Sequence, residues 1–491
     1  MGTADERQFL FDCKKLNDSI KTEWYNKENI GFVRRYYEER GEKLMTQDRA
    51  DNRLLINGNI SSSYFRLAIP NVLSMVITLV YNLADTYFIA AVGNTDLVAG
   101  VSLCAPVLTI QMAFGNVFAQ GGCSLVSRLL GASKEEDIRR VSAHCIDIGY
   151  LLGLAVGIFF LLTGQILLPF LGADADTIGF AGEYFYWIAA GSPFVVASYV
   201  YTNLFRSEGM SREAMLGTGI GAVVNIILDP IFISGLGMGA GGAAIATIIG
   251  YIVSDIYCTA ILLKKSRILS MNPRYFRIPL EYEKQILGIG IPAAIMNIVQ
   301  SLSVIFLNQF LLPYGNREIA AMGIAMKTVS IVNLVLVGLA YGGQPLFGYF
   351  FGAKDRENLK KLTRFTLKVT AGTAIVMSFA VFVAAVPLIR FFMEDPGIVE
   401  SGSLMLRLQV ATMTFAGITL LVTLIFQSAG NIGISFVLSI GRQGFIFLLV
   451  LAAASRLFGY YGILASQAVA DVISVVLAAA LFYRKIYRGW R

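Results

Sequence analysis

The chain has 491 residues, of which 56% are hydrophobic and only 15% are charged, and its formal net charge at pH 7 is +7. Soluble globular domains carry about 25% charged residues, so this composition excludes an ordinary soluble protein. The single histidine argues against a histidine-based metal site, and the five cysteines lack the spacing of a zinc site or a disulfide framework, so we expect neither an enzyme nor a bound cofactor.

The segment 1–63 is strongly charged, with 11 acidic and 11 basic side chains. Mixed charge without a long apolar run predicts a solvated or membrane-surface extension. The segment 1–20 lacks the basic-then-apolar order of a signal peptide, so no cleavage is expected. We therefore interpret 1–63 as a charged cytoplasmic N-terminal extension.

From Tyr64 onward, apolar runs of more than twenty residues dominate the chain. Each is long enough to cross about 30 Å of hydrocarbon at 1.5 Å per residue. The sequence predicts an all-α polytopic membrane protein with twelve transmembrane helices. Six are expected near 64–91, 96–128, 137–165, 180–205, 213–234 and 240–263. Six more are expected near 284–312, 317–350, 358–388, 398–427, 433–456 and 460–483.

The two sets of helices repeat each other in sequence. Ala-Ile-Pro at Pro70 recurs as Gly-Ile-Pro at Pro292, and Phe-Arg-Ser-Glu-Gly at 205–209 recurs as Phe-Gln-Ser-Ala-Gly at 426–430. The two pairs of motifs have the same separation along the chain to within one position. A constant spacing predicts an internal duplication. We expect two six-helix lobes, 64–263 and 284–485, a cytoplasmic linker, 264–283, and a short tail, 486–491.

Basic residues are concentrated on one side of this topology. With the N-terminus inside, the two chain ends and the loops near 128–140, 206–213, 264–284 and 354–368 hold 34 of the 40 Lys and Arg residues. This asymmetry is the positive-inside pattern. It predicts a multi-pass protein of the cell (inner) membrane with both termini in the cytoplasm. It also explains the positive charge without a nucleic-acid partner.

Five acidic residues fall clearly inside predicted spans, away from the span ends: Asp85, Asp147, Asp229, Asp255 and Asp471. A carboxylate in hydrocarbon is costly, so each is a candidate functional residue. Asp147 follows His144 by three positions, which favours a local buried pair. Asp255 and Asp471 come late in spans that end at basic clusters, so we expect solvated positions at the membrane interface.

Asp85, Asp229 and Thr247 are expected at similar depths in the outer part of the first lobe, from helix rise alone. Asn225 shares a helix face with Asp229, and Pro230 removes a backbone donor and frees a carbonyl. These oxygen atoms suit a monovalent cation, while two nearby carboxylates could instead share a proton. The alternative is polar pairing that only holds the helices together.

At these residues the sequence resembles the multidrug and toxic compound extrusion (MATE) family, in its prokaryotic DinF-like/MepA-like branch. The similarity rests on the first helix from Pro70 to Asp85, on Asn-Ile-Ile-Leu-Asp-Pro at 225–230 and on Gly-Gly-Ala-Ala-Ile-Ala-Thr at 241–247. The resemblance implies secondary active efflux of organic cations or amphiphilic drugs by alternating access. Inward flow of Na⁺ or H⁺ would drive it.

The resemblance also implies roles for particular residues. Asp85, Asn225, Asp229 and Thr247 match the cation site of the first lobe, and Pro70, like Pro230, is expected to bend its helix. Other branches carry acids in the seventh and tenth helices, whereas 401–427 contains none here. This departure leaves the first lobe as the expected coupling site.

Polar residues expected to face the cleft between the lobes are candidates for substrate contact: Tyr81, Asn82, Tyr199, Asn203 and Lys327. The expected partners are small organic cations or amphiphilic drugs and the lipid bilayer, and a monomer is expected. A flippase for a lipid-linked or other amphiphilic metabolite is the alternative function. The sequence does not decide between Na⁺ and H⁺.

Overall fold

A computed structural model describes residues 59–488, so nearly all of the predicted N-terminal extension lies outside the described residues. The described residues are helical and contain no β-strand. The first half contains α1 (Ile60–Ala91), α2 (Thr95–Leu103), α3 (Ala105–Gly131), α4 (Glu135–Phe170), α5 (Ile178–Ala190), α6 (Ser192–Ser207), α7 (Ser211–Pro230) and α8 (Gly239–Lys265). The second half contains α9 (Leu280–Leu311), α10 (Asn316–Gly352), α11 (Arg356–Val383), α12 (Ala385–Phe392), α13 (Pro396–Ala411), α14 (Met413–Ser428), α15 (Ile432–Ile440) and α16 (Ile446–Phe482).

Nine helical segments of the described chain are long and apolar enough to cross a membrane, or ten if the bent pair α13 and α14 is one span. Within α16, Gly459 has φ 54° and ψ −129°. A Cβ on Gly462 would lie 2.0 Å from the carbonyl oxygen of Ala454, whereas the same stretch of straight helix would separate them by about 12 Å. The chain therefore folds back at Gly459, and α16 contains two antiparallel helices. That the chain crosses the membrane twelve times stays a prediction.

Side-chain caps explain where several helices begin. Asn94 accepts hydrogen bonds from the N–H groups at the start of α2, and Asp355 and Asp395 do the same for α11 and α13. The first four N–H groups of a helix have no partner within the helix, so an Asn or Asp oxygen at this position stabilises its start. These caps fall in the loops between the apolar runs, which is why the predicted boundaries are close to the observed ones.

The two halves of the chain, which we call the first bundle (α1–α8) and the second bundle (α9–α16), pack through equivalent helix pairs. Helix α3 packs against α9, and α1 packs against α10. The repeat that relates Pro70 to Pro292 also relates α1 to α9 and α3 to α10, so each contact is the counterpart of the other. This is the arrangement that a duplicated bundle with a pseudo-two-fold axis would have.

Glycines allow the two bundles to touch backbone to backbone. A Cβ on Gly290 of α9 would lie 1.8 Å from the carbonyl oxygen of Val117 in α3. A Cβ on Gly342 of α10 would lie 2.3 Å from the Cα of Ala68 in α1. Both contacts lie in the parts of these helices nearer the basic loops. The bundles are therefore closed against each other at that end.

Arg128, at the end of α3, adds polar contacts to this closure. Its Nη1 donates to the carbonyl oxygen of Ser428 at 3.2 Å, and its Nη2 donates to Oε1 of Gln285 at 2.9 Å. A Cβ on Gly352 would lie 2.0 Å from the Arg128 carbonyl oxygen. One side chain of the first bundle thus binds two segments of the second.

Candidate functional site

A cavity of about 510 Å³ lies between the two bundles and takes its wall from both halves of the chain. Cavities of roughly 300–1,000 Å³ hold drug-sized ligands. Most polar groups in the wall are amides and hydroxyls, with several tyrosines. Among the described residues that line it, the charged ones are Arg206 and Arg442, and none carries a carboxylate. We call this space the central cavity.

The central cavity includes three of the five residues predicted to face the cleft. Tyr81, Tyr199 and Asn203 line it, whereas Asn82 and Lys327 are exposed and lie outside its lining. Asn82 directly follows Tyr81 on α1, and successive helical residues are about 100° apart around the axis, so Asn82 faces away from the part of the wall that Tyr81 forms. The contribution of Lys327 to substrate entry stays a prediction.

A chain of amides crosses between the bundles at the central cavity. Gln344 Nε2 of α10 donates to Gln120 Oε1 of α3 at 3.1 Å, and Gln120 Nε2 donates to Asn203 Oδ1 of α6 at 3.3 Å. All three side chains are buried. Gln120 and Gln344 were not among the candidate residues, because a glutamine in a helix carries no distinctive motif.

The predicted cation-site residues of α7 and α8 are brought together. Asn225 Nδ2 donates to Asp229 Oδ1 at 3.1 Å and to Thr247 Oγ1 at 3.4 Å. Asp229 is completely buried, and Asn225 and Thr247 are nearly so. Asp85 of α1 lies within electrostatic range of Asp229. We call Asp85, Asn225, Asp229 and Thr247 the acid–amide cluster.

Three oxygen atoms of the acid–amide cluster accept no hydrogen bond within the described residues. They are Asp85 Oδ1, Asn225 Oδ1 and Asp229 Oδ2, and all three are buried. Neither aspartate forms an ion pair with a Lys, Arg or His of the described chain. Buried polar atoms without partners are uncommon and point to a missing partner. The cluster therefore offers unfilled acceptors and negative charge without a fixed basic neighbour.

The two predicted bend residues differ in their effect on the helix. Helix α1 continues through Pro70, and Ser74 Oγ donates to the Pro70 carbonyl oxygen at 3.0 Å. Helix α7 ends at Pro230, and a wider π-helical turn follows over Ile231–Gly235. Proline cannot donate a backbone hydrogen bond, and π-helical turns are frequent at functional sites. Pro230 thus interrupts the α-helix directly after Asp229, while a bend at Pro70 stays a prediction.

The expectation that Asp255 and Asp471 are solvated is wrong. Both are buried, because their helices turn these positions towards neighbouring helices. Asp255 accepts from the Tyr150 hydroxyl at 3.3 Å. Asp471 accepts from Arg442 Nε at 2.8 Å and from Thr412 Oγ1 at 3.2 Å. The buried Asp471 and the partly buried Arg442 form an ion pair at the wall of the central cavity.

Helices α7 and α8 of the first bundle touch each other through two glycines, Gly221 and Gly250. A Cβ on either glycine would lie 2.8 Å from the carbonyl oxygen of the other. Helices α7 and α8 therefore meet backbone to backbone at these two positions.

Two further sequence interpretations are corrected by the structure. His144 does not pair with Asp147: its Nε2 lies 2.7 Å from Glu283 Oε2 and its Nδ1 lies 2.8 Å from the Phe276 carbonyl oxygen. Arg206, which we counted with the cytoplasmic loop 206–213, lies within α6 and is buried. Helix α6 extends beyond the predicted boundary to Ser207, which places this arginine against the central cavity.

A protein-family model described as MatE matches the chain twice, over residues 70–231 and 292–453, which together make up more than half of its length. The chain belongs to the MatE family. The two matches begin at Pro70 and Pro292, the prolines that define the repeat in the sequence. The MatE unit thus occurs once in each half, and the resemblance seen in the sequence is confirmed.

MatE relatives of known name and structure match nearly the whole described chain. The chain is 30% identical over 425 residues to a multidrug export protein, MepA, of Staphylococcus saprophyticus subsp. saprophyticus, covering 87% of this chain and 94% of the relative. It is 29% identical over 424 residues to MepA of Staphylococcus aureus strain N315, covering 86% and 94%. A solved structure of a multidrug resistance MATE family transporter, in an outward-facing conformation, matches with a TM-score of 0.82 and 24% identity, covering 89% and 98%. Together with the apolar helices, family membership makes this chain a multi-pass membrane transporter and not an enzyme.

Proposed function

We propose that the protein is a secondary active exporter that moves organic cations or other amphiphilic drugs in exchange for Na⁺ or H⁺. The observation that carries this proposal is the position of the acid–amide cluster. Asn225 and Thr247 belong to the cluster and also line the central cavity. An ion bound at the cluster and a substrate in the cavity would therefore act on the same two side chains. The names of the MepA relatives support drug export as the overall function.

The chemistry of the acid–amide cluster suits either coupling ion. Carboxylate, amide and hydroxyl oxygens are ligands for hard cations, and three such oxygens have no partner. Two carboxylates without a basic neighbour also favour proton uptake by one of them, because like charges repel in a low dielectric. In both cases, the ion neutralises charge that the protein itself leaves unbalanced.

Alternating access would require the glycine-rich contacts between the bundles to open. These contacts close the end of the molecule that carries the basic loops, and the positive-inside rule assigns that end to the cytoplasm. The proposed localisation is the cell (inner) membrane with both termini inside. In this arrangement, the described conformation is closed towards the cytoplasm, and the opposite opening follows when the contacts of Gly290 and Gly342 separate.

Coupling must be reciprocal: substrate lowers ion affinity by the factor by which the ion lowers substrate affinity. The test uses the full chain in proteoliposomes, with ethidium efflux measured under a Na⁺ gradient and under a pH gradient, imposed separately. Asp85→Asn and Asp229→Asn should each reduce gradient-driven efflux to the level of protein-free vesicles. Asp96→Asn, which changes an exposed aspartate at the start of α2, is the matched control. Full efflux by both cluster variants would show that the coupling site lies elsewhere.

A flippase for a lipid-linked or other amphiphilic metabolite is the second candidate, because the charged groups in the cavity wall are arginines. Anionic headgroups are bound by arginine clusters, but Asp471 already pairs with one of the two arginines. Translocation of a fluorescent anionic lipid across vesicle membranes, without ethidium efflux, would favour this candidate over the exporter.

A further inference from the structure

Arg206 is a buried cation at the central cavity that no anion of the described protein balances. We propose that Arg206 binds an oxyanion, such as a carboxylate, on a drug-sized amphiphile held in the central cavity. This inference rests on the proposed export function and adds a substrate class to it. Exported compounds would then include zwitterionic and anionic amphiphiles as well as organic cations.

Arg206 is buried and has no partner among its neighbours in the described part of the chain. Its side chain is only 7% exposed, and it lines the central cavity. Its Nε has no hydrogen-bond partner, and its guanidinium forms no ion pair or side-chain hydrogen bond within the described residues. Its neighbours include Tyr199, Tyr341 and Cys123, none of which carries a negative charge at neutral pH. The guanidinium therefore keeps its donors available towards the cavity.

Two other positions show that this situation is particular to Arg206. Arg442, the other arginine of the cavity wall, pairs with the buried Asp471. The residue that the duplication relates to Arg206 is Gln427, which is neutral. A buried cation is normally paired, so an unpaired one facing a ligand-sized cavity indicates that the partner arrives with the ligand.

The chemistry of the guanidinium selects the partner. Its planar donors match the two oxygens of a carboxylate or of another oxyanion. None of the described residues lining the cavity supplies a carboxylate that would repel such a group. The acid–amide cluster reaches the cavity through Asn225 and Thr247, while Asp85 and Asp229 lie behind them outside its lining. An oxyanion beside Arg206 would therefore meet donors and no facing carboxylate.

The experiment compares two dyes that differ at one group: rhodamine 110, which has a free carboxylate, and rhodamine 123, its methyl ester. Binding to the purified full chain in phosphatidylcholine nanodiscs is followed by fluorescence anisotropy. Arg206→Gln should weaken rhodamine 110 binding by about tenfold or more, the value of a charge-assisted hydrogen bond in a buried site. Rhodamine 123 binding should stay within about threefold of wild type, because the ester carries no charge for Arg206 to balance.

Two further variants distinguish binding from folding. Arg206→Lys keeps the charge but loses the planar pair of donors, so it should retain part of the preference for rhodamine 110. Arg212→Gln removes a nearby exposed arginine at the start of α7 and should change neither dye. Equal weakening of both dyes by Arg206→Gln would mean that Arg206 only supports the fold, and it would overturn the proposal.

The same dyes separate this inference from the proposed function. Wild-type vesicles that export rhodamine 123, with no binding of rhodamine 110, would refute the oxyanion site and leave the exporter standing. Vesicles that export neither rhodamine 123 nor ethidium under either gradient would refute the exporter and, with it, this inference. Phosphatidylglycerol added to the nanodiscs should not displace rhodamine 110. Displacement would assign Arg206 to a lipid headgroup and overturn the assignment to a drug-sized amphiphile.

Discussion

Substitution of Gly342 by alanine tests whether glycine contacts hold the bundles closed. The new Cβ would lie 2.3 Å from the Cα of Ala68, where ordinary contacts are 3.4–4 Å. Helices α1 and α10 must therefore separate by roughly 1.1 Å, and overpacking of this kind costs about 1–3 kcal/mol. The cost applies only to the closed conformation. The ratio of closed to open molecules should fall by a factor of about 5–150.

Cysteine labelling can measure this ratio. Ser127 is 1% exposed and lies in the closed interface. A Cβ on Gly348 would lie 2.4 Å from the Cβ of Ser127. We expect Ser127→Cys, placed in an otherwise cysteine-free full chain, to react slowly with a polar maleimide. Adding Gly342→Ala should raise the labelling rate by a factor of about 5–150, as the closed conformation becomes less populated.

Gly323→Ala is the matched control for this measurement. Gly323 lies in the same helix as Gly342, and a Cβ there would meet no atom within 4 Å. This control gains helix propensity, by about 1 kcal/mol, without a clash at the interface. Equal labelling rates in the two alanine variants would refute the idea that backbone contact closes the bundles.

Three other substitutions have expected outcomes. Asp471→Leu should lower the free energy of unfolding by about 1–3 kcal/mol, because the partly buried Arg442 loses its partner. The double variant with Arg442→Met should recover most of this loss in thermal denaturation. Tyr64→Phe should lower the free energy of unfolding by about 0.5–1.5 kcal/mol. The Tyr64 hydroxyl donates to the Leu339 carbonyl oxygen at 2.9 Å and so joins the two bundles. An unchanged melting temperature would contradict this prediction. Asp229→Asn should melt no lower than wild type, because it removes a buried charge without a basic partner. A marked drop would make its transport defect a folding defect.

The sequence alone predicts the fold class and the main part of the acid–amide cluster. Helix rise sets the depth of each residue along its span, and this is enough to place Asp229 and Thr247 together although they lie on different helices. The constant spacing of the repeat likewise predicts which helices are counterparts. The pairing of α1 with α10 follows that pattern, because duplicated units pack through equivalent surfaces.

Rotation about the helix axis is what sequence reasoning could not supply. Asp255 and Asp471 were expected at a solvated interface, since their position along the chain gives depth but not the face that they occupy. Arg206 was assigned to a loop because the end of its helix was placed too early. Lys327 is a polar residue in a predicted span, which made it a candidate for the cleft. It lies outside the cavity lining because its face of the helix could not be predicted.

The Arg442–Asp471 ion pair and the Gly221–Gly250 contact limit the substitutions that each bundle can accept. A Cβ at either glycine would meet a backbone carbonyl oxygen. Either charge of the ion pair without the other is penalised, so a change at one of these two positions needs a coupled change at the other. Variant libraries should therefore show strong epistasis between Arg442 and Asp471, and near-complete intolerance at Gly221 and Gly250 taken singly.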